Sequence, residues 1–173
     1  SDFAAYKGVD KAQVAAVNSC TAALHVSMVA AALEPGSEVI TTPLTFCATV
    51  NSILHAGMSP VLADVDPVTQ NINPDAIEAA ITPRTRAILP VHFAGRPCDM
   101  DRIMAIARKH ELLVIEDCAH AIETEYHGQK AGTLGDFGCF SFYVTKNVVT
   151  GEGGMILGRD DILISRAKML ALH

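Results

Sequence analysis

No two of the five cysteines (Cys20, Cys47, Cys98, Cys118 and Cys139) stand in a CxxC pair, and their number is odd. A disulfide framework and a zinc ribbon are thereby excluded, and a reducing, cytoplasmic setting is expected. Tryptophan is absent. Basic residues are outnumbered, 13 against 19 acidic, for a net charge of −6. That balance argues against nucleic acid and against an anionic membrane surface as partners. No uninterrupted apolar run is long enough to span a bilayer, although mean hydropathy is positive at +0.28. The opening residues Ser1-Asp2-Phe3 offer neither the basic nor the apolar region of a secretory signal. No G-x-G-x-x-G follows a strand, which removes the usual dinucleotide fingerprint. Repeats, low-complexity tracts and linkers are also missing.

What is present is a chain of 173 residues, half of them hydrophobic, enough for one domain with a sizeable core. Apolar runs alternate with helical segments at short spacing, the signature of an α/β fold with a largely parallel sheet. Strands are expected over 14–17, 38–42, 60–65, 86–91, 112–115, 138–144 and 154–157. Helices are expected over 20–33, 46–55, 74–81 and 99–110, with a last helical segment over 160–173. The helix over 99–110 is the clearest. Met100, Ile103, Met104 and Ala107 follow i, i+3, i+4, i+7, with acids at its start and Arg108, Lys109 and His110 at its end. Pro74 takes the first-turn position that suits proline. The absent initiator methionine and the unterminated last segment suggest a piece of a longer protein.

Ligands of parallel α/β sheets sit beyond the carboxyl ends of the strands, and those positions hold the candidate chemistry. An apolar run over 140–144 delivers Lys146 toward the glycine-rich Gly151-Glu152-Gly153-Gly154. A solvated loop lysine is the ordinary reading. A lysine held in a dry site, however, has a lowered pKa, and its neutral amine can form a Schiff base with a carbonyl. Asn18-Ser19-Cys20-Thr21 opens a helix whose first amides and hydroxyls suit a phosphate, or serve as a plain N-cap. Phe46 stands just past a strand end, where it could stack on a flat ligand or pack under its own helix. The strand over 112–115 runs into Glu116-Asp117-Cys118-Ala119-His120, carrying Asp117 to its carboxyl end. There a carboxylate can accept from a protonated ring nitrogen, or cap the next segment. His120 lies one helical turn on, able to touch the same ligand or to be a bonded core histidine. Cys118 and His120 without a second pair make no metal site. Ser141 alternates with Phe140 and Phe142, placing a hydroxyl near Lys146. Phosphate donors, a stacking ring, a carboxylate and a Schiff-base amine are together the four requirements of pyridoxal phosphate.

The order of these motifs resembles the DegT/DnrJ/EryC1/StrS sugar aminotransferases. The matching segments are Asn18-Ser-Cys-Thr-Ala-Ala-Leu24, Thr42-Pro-Leu-Thr-Phe-Cys-Ala-Thr49, Val91-His-Phe-Ala-Gly95, Ile115-Glu-Asp-Cys-Ala-His-Ala121 and Phe140-Ser-Phe-Tyr-Val-Thr-Lys-Asn147 with Gly151-Glu-Gly-Gly154. The resemblance implies a fold-type-I, aspartate-aminotransferase-like large domain. Residues 1–173 would form its central part, without the N-terminal segment and the C-terminal small domain. It implies transfer of an amino group, usually from glutamate, to a keto sugar attached to a nucleotide, in a homodimer whose sites form across the interface. Lys146 would carry pyridoxal phosphate as a Schiff base and move the proton. Asp117 would keep the ring nitrogen protonated. Cys20, Thr21 and Ser141 would bind the phosphate, Phe46 would stack, and His120 would lie near the ring hydroxyl. Phe46 and His120 depart from the commoner residues at those places, and Val144 stands where proline is frequent. Two alternatives share the fold: a pyridoxal-phosphate sugar dehydratase, in which a histidine replaces the lysine, and a catalytically silent fragment.

Overall fold

Apolar residues on both faces of short strands call for a sheet covered on both sides. The protein, seen here in a computed structural model that describes residues 2–171, builds one. Its strands are β1 (Val14–Val17), β2 (Glu38–Thr41), β3 (Ser59–Leu62), β4 (Thr85–Leu89), β5 (Leu113–Asp117), β6 (Glu125–Tyr126), β7 (Gln129–Lys130), β8 (Phe137–Ser141) and β9 (Gly154–Gly158). Its α-helices are α1 (Asp2–Lys7), α2 (Cys20–Ala30), α3 (Cys47–His55), α4 (Pro74–Ala80), α5 (Met100–His110) and α6 (Asp161–Ala171). Seven strands form the main sheet in the order β1-β9-β8-β5-β4-β2-β3, and β6 and β7 form a separate hairpin. Within the sheet β9 alone runs antiparallel to its neighbours β1 and β8. The pairs β2–β3, β2–β4, β4–β5 and β5–β8 are parallel.

Alternation along the strands sorts the core into two layers. Val39, Leu89 and Ile115 pack with Leu24 and Met28 of α2, Ile53 of α3 and Ile164 of α6. Their neighbours Ile40, Ile88 and Val114 face the other way, onto Ile77 of α4 and Met100, Ile103 and Ile106 of α5. Helix α1 covers a third patch, where Phe3 meets Phe140 and Phe142 edge to face. Asp99 caps α5 by accepting the Arg102 amide at 3.2 Å, and Asn73 caps α4 ahead of Pro74. Pro74 takes the first-turn position expected from the sequence.

Several boundaries differ from expectation. The fifth strand continues past Ile115 and includes Glu116 and Asp117, because Asp117 is bonded on one side to Pro90 and His92 and its neighbour Cys118 to Cys139 on the other. The strand expected to reach Val144 ends at Ser141. Beyond it Phe142 bonds Gly153 and Thr150 across a loop, and Tyr143 and Val144 are exposed. Lys146 therefore sits in a turn, with its amide donating to the Tyr143 carbonyl, rather than at the tip of a buried strand. Helix α2 stops at Ala30, ahead of Ala32 at φ 51°, and β3 stops at Leu62. The last helix is described to Ala171; positions 172 and 173 lie outside the described residues. Helix α1 and the β6–β7 hairpin, with His127 and Gly128 at positive φ in its turn, are additions.

Candidate active site

Because β2, β4, β5 and β8 are parallel, their carboxyl ends meet at one edge of the sheet. Helices α2 and α3 begin there, and the antiparallel β9 starts there too. A cavity of about 490 Å³ opens at this edge. All seven residues singled out in the sequence line it: Cys20, Thr21, Phe46, Asp117, His120, Ser141 and Lys146. Ser19, Thr45, Thr49, Phe93, Tyr143, Glu152 and Gly153 complete much of the wall.

Asp117 is 4% exposed. Its Oδ2 accepts from the Thr49 hydroxyl at 2.8 Å and its Oδ1 from the Ala119 amide at 3.0 Å. Burial pushes its pKa up; those two bonds and the histidines at 92 and 120 oppose the rise without cancelling it. A carboxylate offers about four acceptor positions, so two bonds leave capacity for a ligand.

At the start of α2, Ser19 accepts the Ala22 amide at 3.1 Å and so acts as the cap. The amides of Cys20 and Thr21 belong to the same first turn, whose donors have no partner within the helix. Burial, reinforced by the charge of Asp117, holds the Cys20 thiol well above its usual pKa, so Cys20 offers an anion its amide and no thiolate. Gly154 packs against this turn. A Cβ there would lie 2.4 Å from the Ser19 carbonyl, which is why a glycine starts β9.

Phe46 caps α3 with backbone only and is 75% exposed, so it is a wall of the cavity and not a core ring. Ser141 ends β8, buried, with its hydroxyl accepting weakly from the Tyr143 amide at 3.4 Å. His120 is exposed at the cavity; partial burial, then the charge of Lys146, lower its pKa against the pull of Asp117. A second, more polar cavity of about 360 Å³ adjoins the first and shares Ala119, His120, Ser141, Thr145 and Lys146. Its outer wall includes Glu123, which accepts from the Asn147 side chain at 2.8 Å.

Cys118 does not join His120. It turns to the opposite side of β5, beside His92 and Glu116, where burial raises its thiol pKa to about 11. Glu116 is fully buried there and accepts four bonds, from His92 Nε2 and the amides of Gly132, Leu134 and Gly135. His92 Nδ1 accepts the Cys98 amide, which leaves its proton on Nε2, facing Glu116. These three groups lie within 4.8 Å of one another, but the lone pairs of Glu116 are already committed to protons.

Sequence reading missed Thr49, Thr45 and Phe93. Thr49 falls four residues after Thr45, on one face of a helix start, and that spacing was the available signal.

Comparison with known proteins finds relatives along the whole chain. The model of the DegT/DnrJ/EryC1/StrS aminotransferase family matches residues 1–173. The spore coat polysaccharide biosynthesis protein SpsC of Bacillus subtilis is 52% identical over 172 residues, covering 99% of this chain and 44% of that protein. GDP-perosamine synthase of Caulobacter vibrioides is 50% identical over 168 residues, covering 97% and 45%. Among solved structures, S. venezuelae DesV in complex with a ketimine intermediate superposes with a TM-score of 0.92 at 37% identity, covering 98% of this chain and 45% of that one. The chain thus spans somewhat under half the length of these relatives.

Proposed function

The chain belongs to the DegT/DnrJ/EryC1/StrS aminotransferase family, whose members depend on pyridoxal phosphate, and from that premise we infer that the protein moves an amino group from glutamate to a nucleotide-linked keto sugar, with Lys146 carrying the cofactor. The observation that bears most weight is the shared cavity. A lysine, a buried carboxylate with spare acceptor capacity, a helix start with hydroxyls and an exposed ring all line it. This donor set fits the group: Asp117 for the ring nitrogen, the Cys20 and Thr21 amides with the Thr21 and Ser141 hydroxyls for the phosphate, Phe46 for the ring face and His120 for the ring hydroxyl.

Bound pyridoxal phosphate supplies an aldehyde that condenses with amines and a ring that accepts the electron pair left when a neighbouring carbon loses its proton. The chain's residues do the rest. Lys146 would provide the amine that holds the cofactor, and its Nζ would accept and return the proton of the substrate. Asp117 would keep the ring nitrogen protonated through a charge-assisted bond, and Thr49 and Ala119 hold that carboxylate in place. The α2 start would hold the phosphate with the amides and hydroxyl of its first turn.

The keto-sugar class is supported by the product named in GDP-perosamine synthase and by the polysaccharide role in the name of SpsC. A pyridoxal-phosphate sugar dehydratase of this fold is disfavoured by the lysine at 146. Placement of the chain in a cofactor-binding large domain is supported by the cavity at the carboxyl edge of its mostly parallel sheet. A homodimer is supported by exposed apolar side chains, Phe46 at the cavity and Val144, Val148 and Val149 in the loop after β8. A cytoplasmic setting is supported by five unpaired cysteines. No helix among the described residues is long and apolar enough to cross a membrane.

Borohydride reduction after incubation with pyridoxal phosphate, followed by peptide mass spectrometry, tests the assignment. A pyridoxyl adduct confined to Lys146 is expected. Adducts scattered over surface lysines in the full chain would overturn it.

A further inference from the structure

Two hydroxyls of the cavity wall, those of Thr49 and Thr45, bond each other, and Thr49 also holds the Asp117 carboxylate. Thr49 is fully buried on α3, with its Oγ1 2.8 Å from Asp117 Oδ2. Thr45, just ahead of α3 and lining the cavity, lies with its Oγ1 2.7 Å from Thr49 Oγ1. Each hydroxyl owns one proton, and an ionised carboxylate can only accept. While Asp117 is ionised, Thr49 must therefore donate to it. The Thr49 oxygen is then free to accept, so Thr45 donates to Thr49. Thr45 has spent its only proton inward and can offer the cavity nothing but lone pairs. The polarity of both hydroxyls is thus dictated from the buried end.

We propose that Thr49 and Thr45 form a directed hydroxyl chain that holds Asp117 ionised and correctly aimed, and that reports its charge at the cavity wall as an acceptor. The inference rests on the reading of Asp117 as partner of a ring nitrogen. Its converse follows by the same count of protons. If Asp117 takes up one proton at the Oδ2 position that faces Thr49, its carboxyl O–H donates to Thr49, Thr49 donates to Thr45, and the Thr45 O–H turns to the cavity. No heavy atom moves, yet the wall changes from acceptor to donor. A ligand group that donates to Thr45 thereby favours the ionised carboxylate, and one that accepts from Thr45 favours the neutral acid. Thr49 and Thr45 are positioning residues in this scheme, acting through Asp117.

The groups facing Asp117 are few. The Ala119 amide and the Thr49 hydroxyl bond it directly. Cys20 from α2 and Cys139 from β8 are close enough to feel its charge, and burial keeps both as thiols. His92 and His120 act on it through space, and Lys146 shares the cavity with it. Among the described residues Thr49 is the one side chain that bonds it.

The test is a carboxyl-carbon NMR titration of Asp117 in the cofactor-free full chain, comparing wild type with Thr49→Val, Thr49→Ser and Thr45→Val. Thr49→Val is isosteric but cannot donate, and is expected to raise the Asp117 midpoint by about one pH unit. Thr49→Ser, which keeps the hydroxyl, should match wild type. Thr45→Val should move the midpoint the same way by less. An unchanged midpoint in Thr49→Val overturns the proposal. If Thr49→Val does not fold, Thr45→Val decides: a raised midpoint sustains the chain and an unchanged one refutes it. Borohydride labelling of wild type separates this from the cofactor assignment. Labelling at Lys146 with unmoved midpoints sinks the hydroxyl chain alone. Moved midpoints with scattered labelling sustain the chain and sink the cofactor reading.

Discussion

Glu116 and Asp117 are consecutive carboxylates on one strand, both buried, and they point to opposite faces of the sheet. On the far face Glu116 accepts four bonds and has no capacity left. Burial would raise its pKa, but His92 and the amides of Gly135 and Gly132 outweigh that and hold it below the ordinary value. Beside it Lys7 is buried as well, its amine donating to the Ile122 and Ala131 carbonyls at 2.9 Å, with burial lowering its pKa to about 8. On the cavity face Asp117 has two bonds and a raised pKa. Residue type and burial are nearly the same. The number of fixed donors differs, and it separates a carboxylate that holds the fold from one kept available for a ligand.

The largest expected break in this comparison is in activity. Asp117→Asn should fold normally and still become labelled at Lys146. It should lose at least about a hundredfold in the half-reaction with glutamate, because a neutral amide does not hold the ring nitrogen protonated. Single-turnover absorbance in the full chain measures this, and wild-type rates would remove Asp117 from the chemistry.

Next in size is stability on the other face. Glu116→Gln replaces one acceptor oxygen by an NH₂ that meets two donors. It should destabilise by about 2–4 kcal/mol in urea denaturation. The two variants should also differ in pH dependence. The folded pKa of Glu116 is depressed, so its contribution is complete above the ordinary value of 4.5 and is lost as pH falls through the lower folded value. The gap between wild type and Glu116→Gln should close in acid. The folded pKa of Asp117 is raised above 3.8, so the folded state binds the extra proton and wild type loses stability as pH rises through that window. Asp117→Asn should therefore be at least as stable as wild type at neutral pH. Parallel pH profiles for the two variants would erase the distinction.

The sequence shows this contrast only in part. Strand alternation alone puts residues 116 and 117 on opposite faces, and the position of Asp117 at a strand end marked it for a ligand. The saturation of Glu116 was hidden, since its donors come from His92 and from a turn over 132–135, both remote in the sequence. Most elements were legible because their apolar runs are long enough to show a period. The β6 and β7 strands, two residues each, carry no period at all. The strand expected through Val144 failed for another reason. Tyr143 and Val144 have strand-like side chains, but β9 begins only at Gly154, opposite Ser141, and past that point Phe142 and Tyr143 meet the irregular loop over 150–153 instead of a regular strand. Lys146 was found through its neighbours rather than through its placement, which turned out to be a turn.

Ser19 offers the smallest and most discriminating effect. It lines the cavity, as Asp117 does, yet its hydroxyl is committed like Glu116, accepting the Ala22 amide and donating to Asn18 Oδ1 at 3.2 Å. If commitment of bonds rather than location decides what a polar residue does, Ser19→Ala should act mainly on stability. The loss of an N-cap costs about 1 kcal/mol. Cofactor affinity should change little, because the Cys20 and Thr21 amides and the Thr21 hydroxyl remain. Urea denaturation and a pyridoxal phosphate titration measure the two effects side by side. A tenfold loss of affinity with unchanged stability would show that Ser19 serves the ligand directly, and that counting internal bonds does not distinguish the two kinds of residue in this cavity.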